Sequence, residues 1–194
     1  MGKRIVIING HPDANPARYL HALADAYRRG AESAGHEVRT INLGALQFPF
    51  LRTSDDFLRH EPPALIRECQ ETLAWAQHWV ILYPLWLGSM PSVLKAFLEQ
   101  ALRPNFAFSE VKNRLPKKLL RGRSARIVLT MGMPALFYRW YYRAHSLKSL
   151  ERNILAFCGI APVHASVIGL VENLGDARRE RWLERMEEYG RAAR

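Results

Sequence analysis

Cysteine is scarce: Cys69 and Cys158 are the only two in 194 residues. That is too few for a disulfide framework, and both fall in apolar helical patterns that suit buried thiols rather than nucleophiles or metal ligands. No apolar run approaches the length of a membrane span. Met1-Gly2-Lys3-Arg4 leads directly into a strand pattern with no signal-peptide core, and the position where a myristoylation motif wants Ser or Thr holds Val6. These absences make a soluble cytoplasmic protein the expectation. Acidic residues are also few, 18 against 28 Lys and Arg, and none falls between Lys112 and Arg126, where seven basic residues gather. Zinc-ligand spacing, a helix-turn-helix pair and an aromatic RNA-binding strand are all missing, so no nucleic acid partner is expected and the basic stretch reads as solvated surface. Repeats and low-complexity segments are absent too. With 48% hydrophobic residues, one globular domain over residues 1–194 is expected.

What is present centres on the stretch from Trp79 to Leu102. Trp79 to Tyr83 is nearly all apolar, the pattern of a strand covered on both faces, and Pro84 stops it. From Pro91 a helix is expected, with Val93, Leu94, Phe97, Leu98, Ala101 and Leu102 on one stripe. The loop between them, Pro84-Leu85-Trp86-Leu87-Gly88-Ser89, spends a tryptophan and two leucines where a plain connection uses polar residues. A flat apolar ligand covering it, or packing on a neighbouring element, accounts for that composition equally well. In open parallel sheets ligands bind at the carboxyl ends of the strands, where helix N-termini point their N–H groups.

Arg4 to Asn9 repeats the buried-strand pattern and breaks at Gly10-His11-Pro12. Asn15 as N-cap and Pro16 as first residue predict a helix with Leu20, Leu23, Ala24, Tyr27 and Ala31 inward and Gly35 as its stop. His11 and Arg18 add donors suited to a phosphate beside that helix start, although His11 serves as well as a packed turn residue. His36 to Leu43 alternates, as an edge strand does. Gly44 to Pro63 is a long connection carrying Phe48 and Phe50, whose rings either line a site or an interface or fold over the core. Ile66, Cys69, Leu73 and Ala76 mark the next helix, and Arg103 to Arg123 reads as a loop. Ala125 to Thr130 is a fourth strand, running into Met131-Gly132-Met133-Pro134. After the aromatic stretch Phe137 to His145, a helix from Ser146 is expected to turn Leu147, Leu150, Ile154 and Phe157 inward and to end at Gly159. Val163 to Leu170 is the fifth strand, and Asp176 is expected to cap the last helix.

Five strands alternating with helices suit an α/β fold of the flavodoxin-like kind: a doubly wound three-layer α/β/α domain with a five-stranded parallel sheet in the order 2-1-3-4-5. Gly10-His11-Pro12, the run Tyr83 to Pro91 with Leu94 to Glu99 behind it, Phe106-Ala107-Phe108 and Thr130-Met131-Gly132 together resemble the flavodoxin-like NAD(P)H:quinone oxidoreductases, of which DT-diaphorase is the best-known relative. The similarity spans essentially the whole chain.

The resemblance implies a flavin, FMN or FAD, and hydride transfer from NAD(P)H to a quinone-like acceptor by a ping-pong route. It places His11 at the flavin phosphate, with Arg18 favouring an anion there. Pro84, Leu85, Trp86 and Leu87 fall under the isoalloxazine, and Thr130, Met131, Gly132 and Met133 in the second flavin loop. The family's tyrosine and histidine beside the ring fall on Tyr138 and His145, with Tyr141 and Tyr142 as alternatives to Tyr138. Thr-Met-Gly-Met departs from the family's glycine-rich loop, and Asn15-Pro16-Ala17-Arg18 from its usual helix start. The resemblance further implies a homodimer. An alternative reading is an ancillary subunit with little or no turnover, since some relatives attach to a potassium-efflux transporter; it carries with it peripheral contact with a membrane or transporter.

Overall fold

The computed structural model describes residues 2–111 and 114–194; Lys112, one of the seven basic residues, lies outside them. The chain runs β1 (Arg4–Asn9), α1 (Tyr19–Ser33), β2 (Glu37–Asn42), α2 (Ser54–Leu58), α3 (Ala64–Trp75), β3 (His78–Pro84), α4 (Ser92–Ala101), β4 (Phe108–Val111), β5 (Arg114–Lys118), β6 (Ser124–Thr130), α5 (Ala135–Trp140) and α6 (His145–Lys148). A π-helical segment (Ser149–Leu155), α7 (Ala156–Cys158), β7 (Val163–Ile168) and α8 (Asp176–Ala192) complete it. The sheet has the order β2-β1-β3-β6-β7 with every neighbour parallel, which is the flavodoxin-like order expected.

Because side chains alternate along a strand, the apolar strands feed two cores. Ile5, Ile7, Val80, Leu82 and Val128 pack with α1 and α8, while Val6, Ile8, Trp79, Ile81 and Leu129 pack with α3, α4 and the chain from Leu147 to Cys158. Helices α1 and α8 meet backbone to backbone. A Cβ on Gly30 would sit 2.1 Å from the Glu187 carbonyl, and one on Gly190 2.1 Å from that of Tyr27.

Four expectations need correction. Helix α1 begins at Tyr19, not Pro16: the Asn15 side chain accepts the Ala17 N–H and its carbonyl the Arg18 N–H, so a turn consumes the groups that would have capped a helix there. The stretch Arg103 to Arg123 is not all loop, since β4 and β5 pair in it as an antiparallel hairpin. Asp176 opens α8 as its first residue and its side chain caps nothing; Gly175 is the N-cap. Last, the π segment shifts the helical phase, so that Leu155 and Cys158 face inward while Ile154 is half-buried and Phe157 is exposed. A 3.6-residue period cannot foresee a turn that is wider than 3.6.

The long connection is held to α4. Gln100 Nε2 donates to the Pro49 carbonyl, and buried Arg103 donates through Nη1 to the carbonyls of Asp56 and His60, each at 2.7 Å. Phe48 packs on Phe97 at 6.1 Å while Phe50 stays exposed.

His78 opens β3 fully buried, with Nδ1 2.7 Å from Ser124 Oγ and Nε2 without a partner among the described residues. Burial, with Lys3 and Arg126 nearby, lowers its pKa from 6.5 to about 3. The folded protein therefore stays uncharged at His78 while the unfolded chain takes a proton near 6.5. This contribution to stability is complete above that pH and is lost as pH falls toward about 3. Urea unfolding between pH 7 and 5 should show wild type losing on the order of 1 kcal/mol per pH unit more than His78→Leu; parallel curves would remove His78 as the cause.

Candidate functional site

Four strand ends converge above the sheet. The segments after β1, β3, β6 and β7 bound a cavity of about 580 Å³ lined by His11, Asp13, Arg18, Tyr19, Leu20, Pro84, Leu85, Trp86, Thr130, Met131, Gly132, Val171, Glu172 and Arg179. Leu85, Met131 and Gly132 also line an adjoining cavity of about 450 Å³, whose walls include Leu87, Met133, Tyr138, Tyr142 and His145. The residues expected from the sequence, the alternative Tyr141 excepted, thus line two neighbouring cavities that share a wall.

One end of the first cavity is rich in donors. Arg18, the N-cap of α1, offers no side-chain cap. Among the described residues the first-turn N–H groups of Tyr19 and Leu20 have no hydrogen-bond partner, and both residues line the cavity. Uncapped N–H groups at the positive end of a helix dipole favour a phosphate. The Asp13 N–H donates to His11 Nδ1 at 3.0 Å, which leaves Nε2 as the ring's donor. Partial burial and then neighbouring His21 pull the His11 pKa below the usual histidine value. His11 itself is set by a buried chain: its N–H donates to Asn9 Oδ1, and Asn9 Nδ2 lies 2.8 Å from His21 Nδ1. His21 Nε2 in turn lies 2.9 Å from the Asp13 carbonyl.

Arg18 is less available than its type suggested, for its Nε donates to Asp13 Oδ2 at 2.7 Å. The Asn15 N–H and then the Arg18 guanidinium hold the Asp13 carboxyl below the usual aspartate range. Arg179 is the cation that sequence reading missed. Its Nε and Nη2 donate to the carbonyls of Leu174 and Val171, both at 2.9 Å, and its guanidinium lies 4.9 Å from the Tyr19 ring centroid. The signal was topological: Arg179 follows β7, one more strand end on the same crevice.

The second cavity is apolar with donors at its edge. The Met131 N–H donates to the Ile168 carbonyl, and the Met131 and Met133 carbonyls accept from Val171 and Leu170. Among the described residues the Gly132 and Met133 N–H groups have no partner, and a Cβ on Gly132 would meet nothing within 4 Å. An isoalloxazine fits the two cavities together: thioether and leucine walls in the second with Trp86 on the first, backbone donors for its polar edge, and a helix terminus at a distance for its phosphate.

Tyr138 departs from its expected role. It is 2% exposed, its hydroxyl is 2.7 Å from Ser146 Oγ, and it accepts the Leu147 N–H at 3.1 Å. Tyr142 is the tyrosine with an exposed face beside His145, while Tyr141 lines neither cavity and stacks on Phe137 at 5.0 Å. His145 is the first residue of α6, whose N-cap is Ala144, so it does not cap that helix.

Residues 3–190 match the Flavodoxin_2 family, described as flavodoxin-like fold, and the chain belongs to that family. An uncharacterized NAD(P)H oxidoreductase of Haemophilus influenzae is 25% identical over 183 residues, covering 92% of this chain and 90% of that one. The NAD(P)H:quinone oxidoreductase from Methanothermobacter marburgensis superposes with a TM-score of 0.84 at 20% identity, over all of both chains. An FMN-dependent NADH-azoreductase from Bacillus anthracis, solved in complex with FMN, gives 0.79 at 19% identity, again over all of both chains. At these identities the two structures speak for the fold.

The loop after β3 closes on itself: Trp86 and Ser89 exchange both N–H···O bonds at 2.9 Å, with Leu87 at φ 46° and Gly88 at φ 77°. Two residues of positive φ make a type I′ turn, which prefers Asn-Gly. Leu87 stands fully in solvent, at 107% exposure, so nothing in the fold rewards its side chain for the left-handed backbone. Leu87→Asn should therefore raise stability by about 1 kcal/mol, read as a higher urea midpoint at unchanged slope.

Proposed function

We propose that the protein is a flavin-dependent NAD(P)H oxidoreductase acting on quinone-like acceptors by a ping-pong route. The observation that carries this reading is the pairing of an uncapped α1 N-terminus, beside His11 and Arg179, with an apolar cavity that shares Leu85, Met131 and Gly132 with it. The family and the relatives named as NAD(P)H, quinone and azo reductases support an NAD(P)H-dependent reductase. A flavin bound there would supply the two-electron chemistry that links NAD(P)H to the acceptor.

The chain's own residues do the rest. The Tyr19 and Leu20 N–H groups, His11 Nε2 and Arg179 hold the phosphate, with Arg18 at the rim. Pro84, Leu85 and Trp86 would pack against the ring with Leu87 at the exposed rim, and Thr130, Met131, Gly132 and Met133 would line the same cavities and present two N–H donors. His145 would offer a ring N–H donor to the bound group from the wall of the second cavity. Tyr142 lies on the same wall.

Protein stripped of ligand should turn yellow with FMN or FAD and then oxidise NADH or NADPH when a quinone is added. Trp86→Ala should bind flavin several-fold more weakly, since an aromatic contact is worth on the order of 1 kcal/mol beyond area burial. A chain that cannot be loaded with flavin would instead support the ancillary-subunit reading.

We also infer a homodimer. Leu87, on the wall of the second cavity, and Leu136, Phe137 and Trp140, in the helix that carries Tyr138 to it, are large apolar side chains left exposed, and exposed apolar surface marks an interaction site. Light scattering at micromolar concentration should give twice the 22.3 kDa chain mass, whereas Trp140→Glu should shift the population toward monomer.

A further inference from the structure

The turn that delivers His145 is unusual. Arg143 and Ala144 both have φ of 50°, a left-handed backbone that residues with a Cβ avoid. Two such residues in succession persist only where their surroundings impose the geometry. Ala144 is buried in the core and its carbonyl accepts the Lys148 N–H at 2.9 Å, and on either side of His145 the chain is bonded to one residue, Tyr138. The Tyr138 carbonyl accepts the Ala144 N–H at 3.1 Å, and the Tyr138 hydroxyl accepts the Leu147 N–H at 3.1 Å while contacting Ser146 Oγ at 2.7 Å. Tyr138 thus grips the turn on the amide just before His145 and on the two residues just after it. The His145 N–H closes the turn onto the Tyr142 carbonyl at 3.2 Å.

We propose that Tyr138 is a positioning residue rather than a catalytic one: its carbonyl holds the Ala144 N–H before His145, its buried hydroxyl pins Ser146 and Leu147 after it, and together they fix the His145 imidazole on the cavity wall. A tyrosine that was to donate to a ligand would need its hydroxyl open to the cavity, and this one has both neighbours inside the protein. The inference rests on the role given to His145 above. Without the hydroxyl, the Leu147 N–H and Ser146 Oγ lose their partner while the Tyr138 carbonyl keeps only the Ala144 N–H; the segment after His145 is then free to let the strained turn relax toward conformations in which His145 no longer faces the ring site.

The test compares Tyr138→Phe, which keeps the ring and removes the hydroxyl, with His145→Gln, the double variant, and Tyr138→Phe combined with Ala144→Gly. Glycine accepts positive φ without strain, so it lets the turn stand without the tyrosine. In flavin-free protein, the His145 ring resonance should shift in Tyr138→Phe, the Ala144 and Leu147 amides should exchange faster, and Ala144→Gly should restore the ring resonance. In loaded protein, Tyr138→Phe should slow flavin reduction by NAD(P)H roughly ten- to a hundred-fold, as misplacing a reacting group does, with flavin affinity little changed. The double variant should be no slower than His145→Gln, and Ala144→Gly should recover most of the rate. Ser146→Ala gives the same comparison should Tyr138→Phe fold poorly.

An unmoved His145 resonance, or losses that multiply in the double variant, would overturn the positioning role. So would a full rate in Tyr138→Phe while His145→Gln is slow. If His145→Gln itself reduces at the wild-type rate, the role given to His145 fails and this inference fails with it.

Discussion

The site follows from one topological constraint, the reversal of winding between β1 and β3. From β1 the chain crosses through α1, on one face, to β2; from β2 it crosses through α3, on the other face, to β3. The chain therefore leaves neighbouring parallel strands toward opposite faces, and a crevice opens at their carboxyl ends. Gly10 stands where they part. Its N–H donates to the Leu82 carbonyl at 2.7 Å, and a Cβ there would lie 2.9 Å from that oxygen and 3.0 Å from Leu94. Only a glycine lets β1 stay bonded to β3 up to the point of departure, and His11 is the first side chain beyond it.

A second dependence is polar and buried. Asn9 ends β1 with an amide that accepts from the His11 N–H and contacts His21, and His21 reaches across to the Asp13 carbonyl. The loop is thereby tied to the first turns of α1 by side chains rather than by regular structure. Each group in the chain answers to the next, so the ring nitrogen that faces the cavity is decided two residues away from it. Such networks hold geometry well only when every member is satisfied.

Much of this was legible in the sequence, and the losses have physical causes. Strands buried on both faces announce themselves by composition, which is why β1, β3 and β6 were placed within a residue or two, and with them the loops at Gly10, Pro84 and Thr130. Asn15 and Pro16 read as a helix start because cap propensity is local; the Asx turn that displaced the start to Tyr19 uses the same groups differently. Arg18 read as an available cation because its partner Asp13 is five residues back, in a turn with no regular period. Arg179 lies in α8, after a strand with no motif of its own. Tyr138 matched the family by order along the chain, while burial, which order does not report, sent its hydroxyl inward.

The π-helical segment has a consequence for how this chain tolerates length change. An insertion or deletion inside an ordinary helix rotates everything beyond it by about 100° and so exchanges its buried and exposed faces. Between Ser149 and Leu155 the helix already accommodates a surplus within its widened turns. Removing one residue there would tighten the turns to α geometry while Leu147 at one end and Cys158 at the other keep their places in the core. Among the described residues, the stretch behind His145 is thus the helical position where a single-residue gap in a homologous sequence would leave the site in register.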